Sequence, residues 1–97
     1  MLSSKQRSIL KGKASTEKAI FQIGKEEISD QMIKGLSDAL DARELIKITV
    51  LKSCEYDIKD IAGLLELRLK AECVCTIGSK IVLYRFSNKK GTEHIKI

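Results

Sequence analysis

Residues 45–51 read Leu-Ile-Lys-Ile-Thr-Val-Leu (LIKITVL), and the fold follows from where that stretch is placed. Ile46, Ile48 and Val50 alternate with Lys47 and Thr49, the period of a strand with one buried face and one partly wet face. Upstream, Ile28, Met32, Ile33, Leu36, Ala39 and Leu40 recur at the helical period behind Ser29, a good N-cap. The outer face of that helix (Asp30, Lys34, Asp38, Asp41) is mostly acidic. Further upstream, Ala19–Ile23 (AIFQI) is a short strand closed by Gly24-Lys25. Strand, helix, strand over residues 19–51 predicts a parallel pair joined by a right-handed crossover.

Downstream, Asp57 caps a helix running to about Ala71, with Ile58, Ile61, Leu65 and Leu69 as its apolar stripe. Glu72–Ile77 and Lys80–Phe86 are two strands joined by Gly78-Ser79, and Gly first in a two-residue loop predicts a type II′ hairpin. At the N-terminus Ser3 or Ser4 caps a helix that Gly12 should end. Its projection groups Gln6, Ile9, Leu10 and Lys13 on one side and Arg7 and Lys11 on the other. Residues 87–97 are expected to be an irregular, frayed tail. The expected class is α/β (α+β), in the order α-β-α-β-α-β-β. A mixed four-stranded sheet carries helices two and three on one face, and the first helix lies beside it.

Ninety-seven residues suffice for one hydrophobic core, so a single domain over 1–97 is expected, ordered over about 2–86. The formal charge of +5 is unevenly spread. Residues 1–25 carry six bases against Glu17, residues 26–44 six acids against Lys34 and Arg43, and residues 73–97 five bases against Glu93. Basic ends flanking an acidic middle predict one basic face if the fold brings the ends together, and such a face attracts anions. The opening Met1-Leu2-Ser3-Ser4-Lys5 turns polar at once, which is unlike a signal core. No apolar run approaches the ~20 residues of a membrane span. Three cysteines, Cys54, Cys73 and Cys75, cannot all pair internally. They read as structural thiols in a reducing cytoplasm, with Cys73 and Cys75 side by side on one strand face.

No catalytic constellation stands out: there is no Gly-rich phosphate loop, no Ser/His/acid set, and one histidine, His94, in the tail. Glu26-Glu27 ahead of a helix reads as a pair of carboxylates favoured by the helix dipole. The expectation is therefore a non-enzyme, without metal, cofactor or small-molecule substrate. The basic groups carry the functional signal. Arg7, Lys11, Lys25 and Arg85 are expected to converge on one surface that a phosphate backbone would attract. Tyr84, beside Arg85, is the candidate for base stacking.

Four segments carry a family resemblance: Ser3–Ala14 (SSKQRSILKGKA), Phe21–Ser29 (FQIGKEEIS), Glu44–Val50 (ELIKITV) and Thr76–Arg85 (TIGSKIVLYR). Together they resemble the CRM domain (chloroplast RNA splicing and ribosome maturation), whose stand-alone bacterial form is the YhbY-like protein. The resemblance implies a fold similar to the C-terminal domain of translation initiation factor three. It also implies RNA binding, and for the bacterial form association with large-subunit ribosome precursors. One departure is plain. Family members often show a Gly-x-x-Gly loop after strand one, whereas this loop reads Gly24-Lys25-Glu26-Glu27. Glu27 forfeits close backbone approach and adds negative charge.

The expected RNA-contacting set is Lys5, Arg7, Lys11, Lys13, Gly24, Lys25, Lys80, Tyr84 and Arg85. The expected partner is rRNA in a pre-large ribosomal subunit, bound by a cytoplasmic monomer with no membrane association. The alternative is a protein-interaction module docking on a ribosomal or translation protein through the acidic helix 29–41. Salt separates the two, because phosphate contacts weaken steeply as salt rises and an apolar interface does not.

Overall fold

The LIKITVL stretch forms strand β2 (Leu45–Val50), one of two central strands of a mixed sheet. The computed structural model describes residues 2–24, 28–92 and 94–97. The other elements are α1 (Ser4–Ala14), β1 (Phe21–Ile23), α2 (Asp30–Arg43), α3 (Ile58–Leu69), β3 (Glu72–Ile77) and β4 (Lys80–Tyr84). The strand order is β1-β2-β4-β3, with β1 parallel to β2 and both other pairs antiparallel. The element order, the class, the parallel β1/β2 pair and the β3/β4 hairpin are as expected, and the structure adds that β4, not β3, is the hairpin strand beside β2.

Alternation along the central strands builds two cores. Ile46, Ile48 and Val50 of β2 and Ile81 and Leu83 of β4 point to one face, where Leu36 and Leu40 of α2 and Ile61, Leu65 and Leu69 of α3 cover them. Leu45, Val82 and Tyr84 point to the other face and meet Leu10 and Ala14 of α1, with Val74 of β3. Helices α2 and α3 thus share one face as expected, and α1 lies across the opposite one. It covers the end of the sheet where β2 begins and β4 finishes. The hairpin is also as expected: Gly78 has φ +58° and Ser79 keeps a negative φ.

Helix starts follow the capping residues read from the sequence. Ser3 forms a reciprocal capping box with Gln6, while Ser29 and Asp57 accept from Met32 and Lys59. Helix α1 does not stop at Gly12 but continues to Ala14. Gly12 faces open space, and Ala14 is held by burial and by Lys47 Nζ, which donates to its carbonyl at 3.2 Å. With Ala14 in the helix, the face that packs is Leu10/Ala14 rather than Ile9/Leu10. Leu10 and Ala14 face the sheet with Arg7 on the same side, whereas Ile9 is 40% exposed.

Two further expectations are corrected. Cys73 and Cys75 do not share a face, because Val74 is an extra residue in a β-bulge: Cys73 stands opposite Leu83 and Cys75 opposite Val82. Cys73 therefore packs with the α2/α3 core and Cys75 with the α1 side, and both are half-buried free thiols. Burial, and then the Glu66 carboxylate, push the Cys73 thiol pKa up, which leaves it a poor nucleophile. The tail is irregular but not frayed. The Ser87 hydroxyl donates to the Asp41 carbonyl at 2.6 Å, Thr92 donates to the same oxygen at 2.8 Å, and Ile95 packs against the α1-side core.

Candidate nucleic-acid interface

Strand alternation decides which basic side chains can share a surface. Tyr84 and Arg85 are consecutive and so point to opposite faces. Arg85 reaches the α2/α3 side, where its guanidinium donates to the Leu69 carbonyl (2.8 Å), the Ser37 carbonyl (2.8 Å) and hydroxyl (3.0 Å), and Asp41 Oδ1 (2.9 Å). Arg7 lies on the α1 side. Its Nη1 donates to the carbonyls of Cys73 (2.7 Å) and Val74 (3.2 Å) at the bulge, and Nη2 sits 3.2 Å from Glu72 Oε2. The expected convergence of Arg7, Lys11 and Arg85 is therefore not formed. Both arginines are committed to backbone carbonyls, Arg85 to one at the α3 C-terminus and one within α2, Arg7 to two on the edge strand β3.

Tyr84 is 8% exposed beneath α1 and offers no open ring face for a base. Burial, followed by the Glu44 carboxylate, raises the pKa of its phenol. Lys5 projects from the outer side of α1. Lys13 flanks a groove with Glu17, Arg43 and Ile95, and Gln6 lines a second groove toward the chain's tail. The flank of α1 that carries Arg7 and Lys11 is the other one, facing the part of the sheet that α1 leaves uncovered. Gly24 closes β1, and a Cβ there would come within 3.2 Å of Ser53 Oγ. Lys25, with Glu26 and Glu27, lies outside the described residues.

What remains is a half-open sheet face. Lys80 stands opposite Thr49, and Gln22 pairs with Thr49 from the other side. Lys47, two residues before Thr49, points the same way, as do Cys75 and Ile77 of β3. No described strand residue brings an unpaired carboxylate to this face, since Glu72 is held by Arg7 and by the Leu2 amide. Lys47 was not among the expected contacts, although its outward alternation with Ile46 and Ile48 marks it in the sequence. Lys11 and Lys80 thus border one polar, cationic surface of rigid strands and a helix flank, while the Lys47 ammonium between them donates to the carbonyls of Ala14 (3.2 Å) and Glu17 (3.5 Å). Such a surface can position phosphates.

The opposite side of the molecule differs. Of the acids on the outer face of α2, Asp30 is paired with Arg68 (2.8 Å) and Asp41 with Arg85 (2.9 Å), which leaves Asp38. Sequence reading also missed Glu44, whose carboxylate is fully buried at the end of α2 in a left-handed conformation (φ 65°). It accepts from the backbone amides of Ser87 (2.6 Å) and Ile95 (2.8 Å) and from His94 Nδ1 (2.8 Å). Burial alone would raise its pKa. The Ser87 amide, the His94 ring and the Ile95 amide outweigh that and hold it below the usual value.

Residues 2–85 match the CRS1 / YhbY (CRM) domain family. A Bacillus subtilis (strain 168) protein named "Probable RNA-binding protein YqeI" is 46% identical over 89 residues, covering 92% of this chain and 93% of that protein. An "RNA-binding protein" of Haemophilus influenzae is 32% identical over 88 residues, 91% of this chain and 89% of that one. The solution structure of a hypothetical protein from Staphylococcus aureus superposes with a TM-score of 0.77 at 43% identity, covering 93% of this chain and 94% of that one.

Proposed function

The chain belongs to the CRS1 / YhbY (CRM) domain family, and on that premise we propose that it is an RNA-binding protein that grips structured rRNA in large-subunit ribosome precursors. Support for RNA as the partner comes from the two relatives named as RNA-binding proteins. Support for rRNA and for a role in subunit assembly comes from the resemblance to the stand-alone bacterial form. The reading assigns binding and positioning to the protein, acting as a cytoplasmic monomer, with no catalytic step.

The observation that carries the proposal is the half-open sheet face bordered by Lys11 and Lys80 and free of unpaired strand carboxylates. Arg7 and Arg85 act behind it, fixing the bulge and the ends of α2 and α3. Phosphate contact by these two lysines releases counterions, so the log–log salt slope of binding to an rRNA hairpin should be about −1.8. The double variant Lys11→Glu/Lys80→Glu should flatten that slope by about 1.8 and weaken binding at least tenfold at low salt. Lys34→Glu, on the exposed face of α2, should change little. Fluorescence anisotropy across a salt series measures all three proteins. Equal affinities for the wild type and the double variant would move the site off this face.

A further inference from the structure

The tail that follows the family-matched residues 2–85 carries an aromatic pair exposed at the surface. Phe86 and His94 stack with ring centroids 4.3 Å apart and planes 10° apart, and the two residues are 55% and 48% exposed. A single exposed Phe is unremarkable on a protein surface. This one has a stacked partner. One ring face rests on an imidazole that is itself fixed, because Nδ1 donates to the buried carboxylate of Glu44. That carboxylate also holds the chain on both sides of the pair, through the amides of Ser87 and Ile95.

The surroundings suit an anionic, planar ligand. Phe86 borders a groove of about 830 Å³ shared with Lys70, Tyr84, Arg85 and Asn88. The two carboxylates lining the groove, Asp41 and Glu72, are each paired with an arginine. Lys70 makes no ion pair with any described residue. Lys89 and Lys90 follow within four residues of Phe86 and are exposed.

We propose that the Phe86–His94 pair is a preformed stacking platform for an unpaired RNA base, with Lys70 beside it for the adjoining phosphate. The platform is a second contact, separate from the lysine-bordered sheet face, and it rests on the RNA-binding reading. The sheet face holds phosphates of structured RNA, and the platform selects RNA in which a base is free to leave its helix. Preorganisation by Glu44 spares the ordering cost that a loose aromatic tail would incur on binding.

The sequence contains no tryptophan, so Phe86→Trp installs a unique fluorophore at the platform. The probes are a short oligoadenylate and a blunt RNA duplex. Oligoadenylate should quench the indole of the Phe86→Trp protein, and the duplex should not. Phe86→Leu, which keeps apolar bulk without a ring, should weaken oligoadenylate binding about fivefold or more and leave duplex affinity unchanged. An indole blind to oligoadenylate, or Phe86→Leu binding oligoadenylate as tightly as wild type, overturns the platform. Duplex binding that persists in either case leaves the RNA-binding reading standing and the exposed pair free for a protein partner. A wild-type protein that binds neither RNA removes both. Should Phe86→Leu fail to fold, the indole response of Phe86→Trp decides alone.

Discussion

Arg7 and Arg85 show how charge at single residues is misread when only the sequence is in view. A basic residue beside a chain end counts toward a binding surface, yet these two guanidiniums satisfy four backbone carbonyls between them. Arg85→Ala should therefore cost about 2–3 kcal/mol, because it strips charge-assisted bonds from Leu69, Ser37 and Asp41 together. Arg85→Lys should recover only part of that loss, since one ammonium cannot replace the planar fork. Urea denaturation of the three proteins measures both. If Arg85→Ala were as stable as wild type and deficient only in RNA binding, Arg85 would be a surface contact after all. Lys11 is exposed and Lys80 half-buried, and neither makes an ion pair with a described residue. The missing information was which long side chains the tertiary fold would fold inward.

At the scale of elements, β2 and α2 declared themselves by period, and α1 did not. Ile48 is fully buried in the larger core, so Ile48→Ala should cost about 2–5 kcal/mol, read as a drop in the thermal midpoint. Helix α1 has too few apolar residues to fix its phase, and Gly12 obscured its last turn. In the folded helix a Cβ at Gly12 would touch nothing within 4 Å. Gly12→Ala should stabilise the protein by about 0.5–1 kcal/mol, a gain measurable by urea titration. Gly78→Ala should do the reverse by about 1 kcal/mol, because φ +58° in the hairpin suits glycine. The bulge at Val74 had no sequence signature either. It is stabilised from outside β3, by Arg7 reaching across from α1, and it sends Cys73 and Cys75 to opposite faces.

For the whole molecule, Glu44 ties the last segment to the rest. The Cα radius of gyration is 12.7 Å, against about 12.5 Å for a compact chain of this length, so the tail lies folded back rather than extended. The pKa of the Glu44 carboxyl in the folded protein lies below its ordinary value of 4.5. Its contribution to stability is therefore complete above 4.5 and is lost as pH falls through the lower, folded-state value. Acidification should loosen the tail, visible as faster hydrogen exchange at the Ser87 and Ile95 amides once global unfolding is accounted for. Glu44→Gln should exchange fast at those amides at neutral pH and lose most of the acid dependence. Unchanged protection in Glu44→Gln would mean that packing of Ile95, not the carboxylate, holds the tail.

The sequence by itself determined the element order, the parallel β1/β2 and hairpin β3/β4 pairings, the α2/α3-side core and the basic character of the chain's ends. Each of these rests on periodicity, capping residues or turn chemistry acting within a few positions of one another. Only the tertiary structure decided the rest. It placed α1 on the opposite face, because a weakly amphipathic helix takes its phase from the surface it meets. It tied Arg7 and Arg85 to backbone carbonyls that belong to elements distant in sequence. It made the described tail residues, 86–92 and 94–97, a strap held to the body, because the buried carboxylate that holds Ser87 and Ile95 lies more than forty residues upstream. Contacts at such separation leave no local pattern for a reader of the sequence to find.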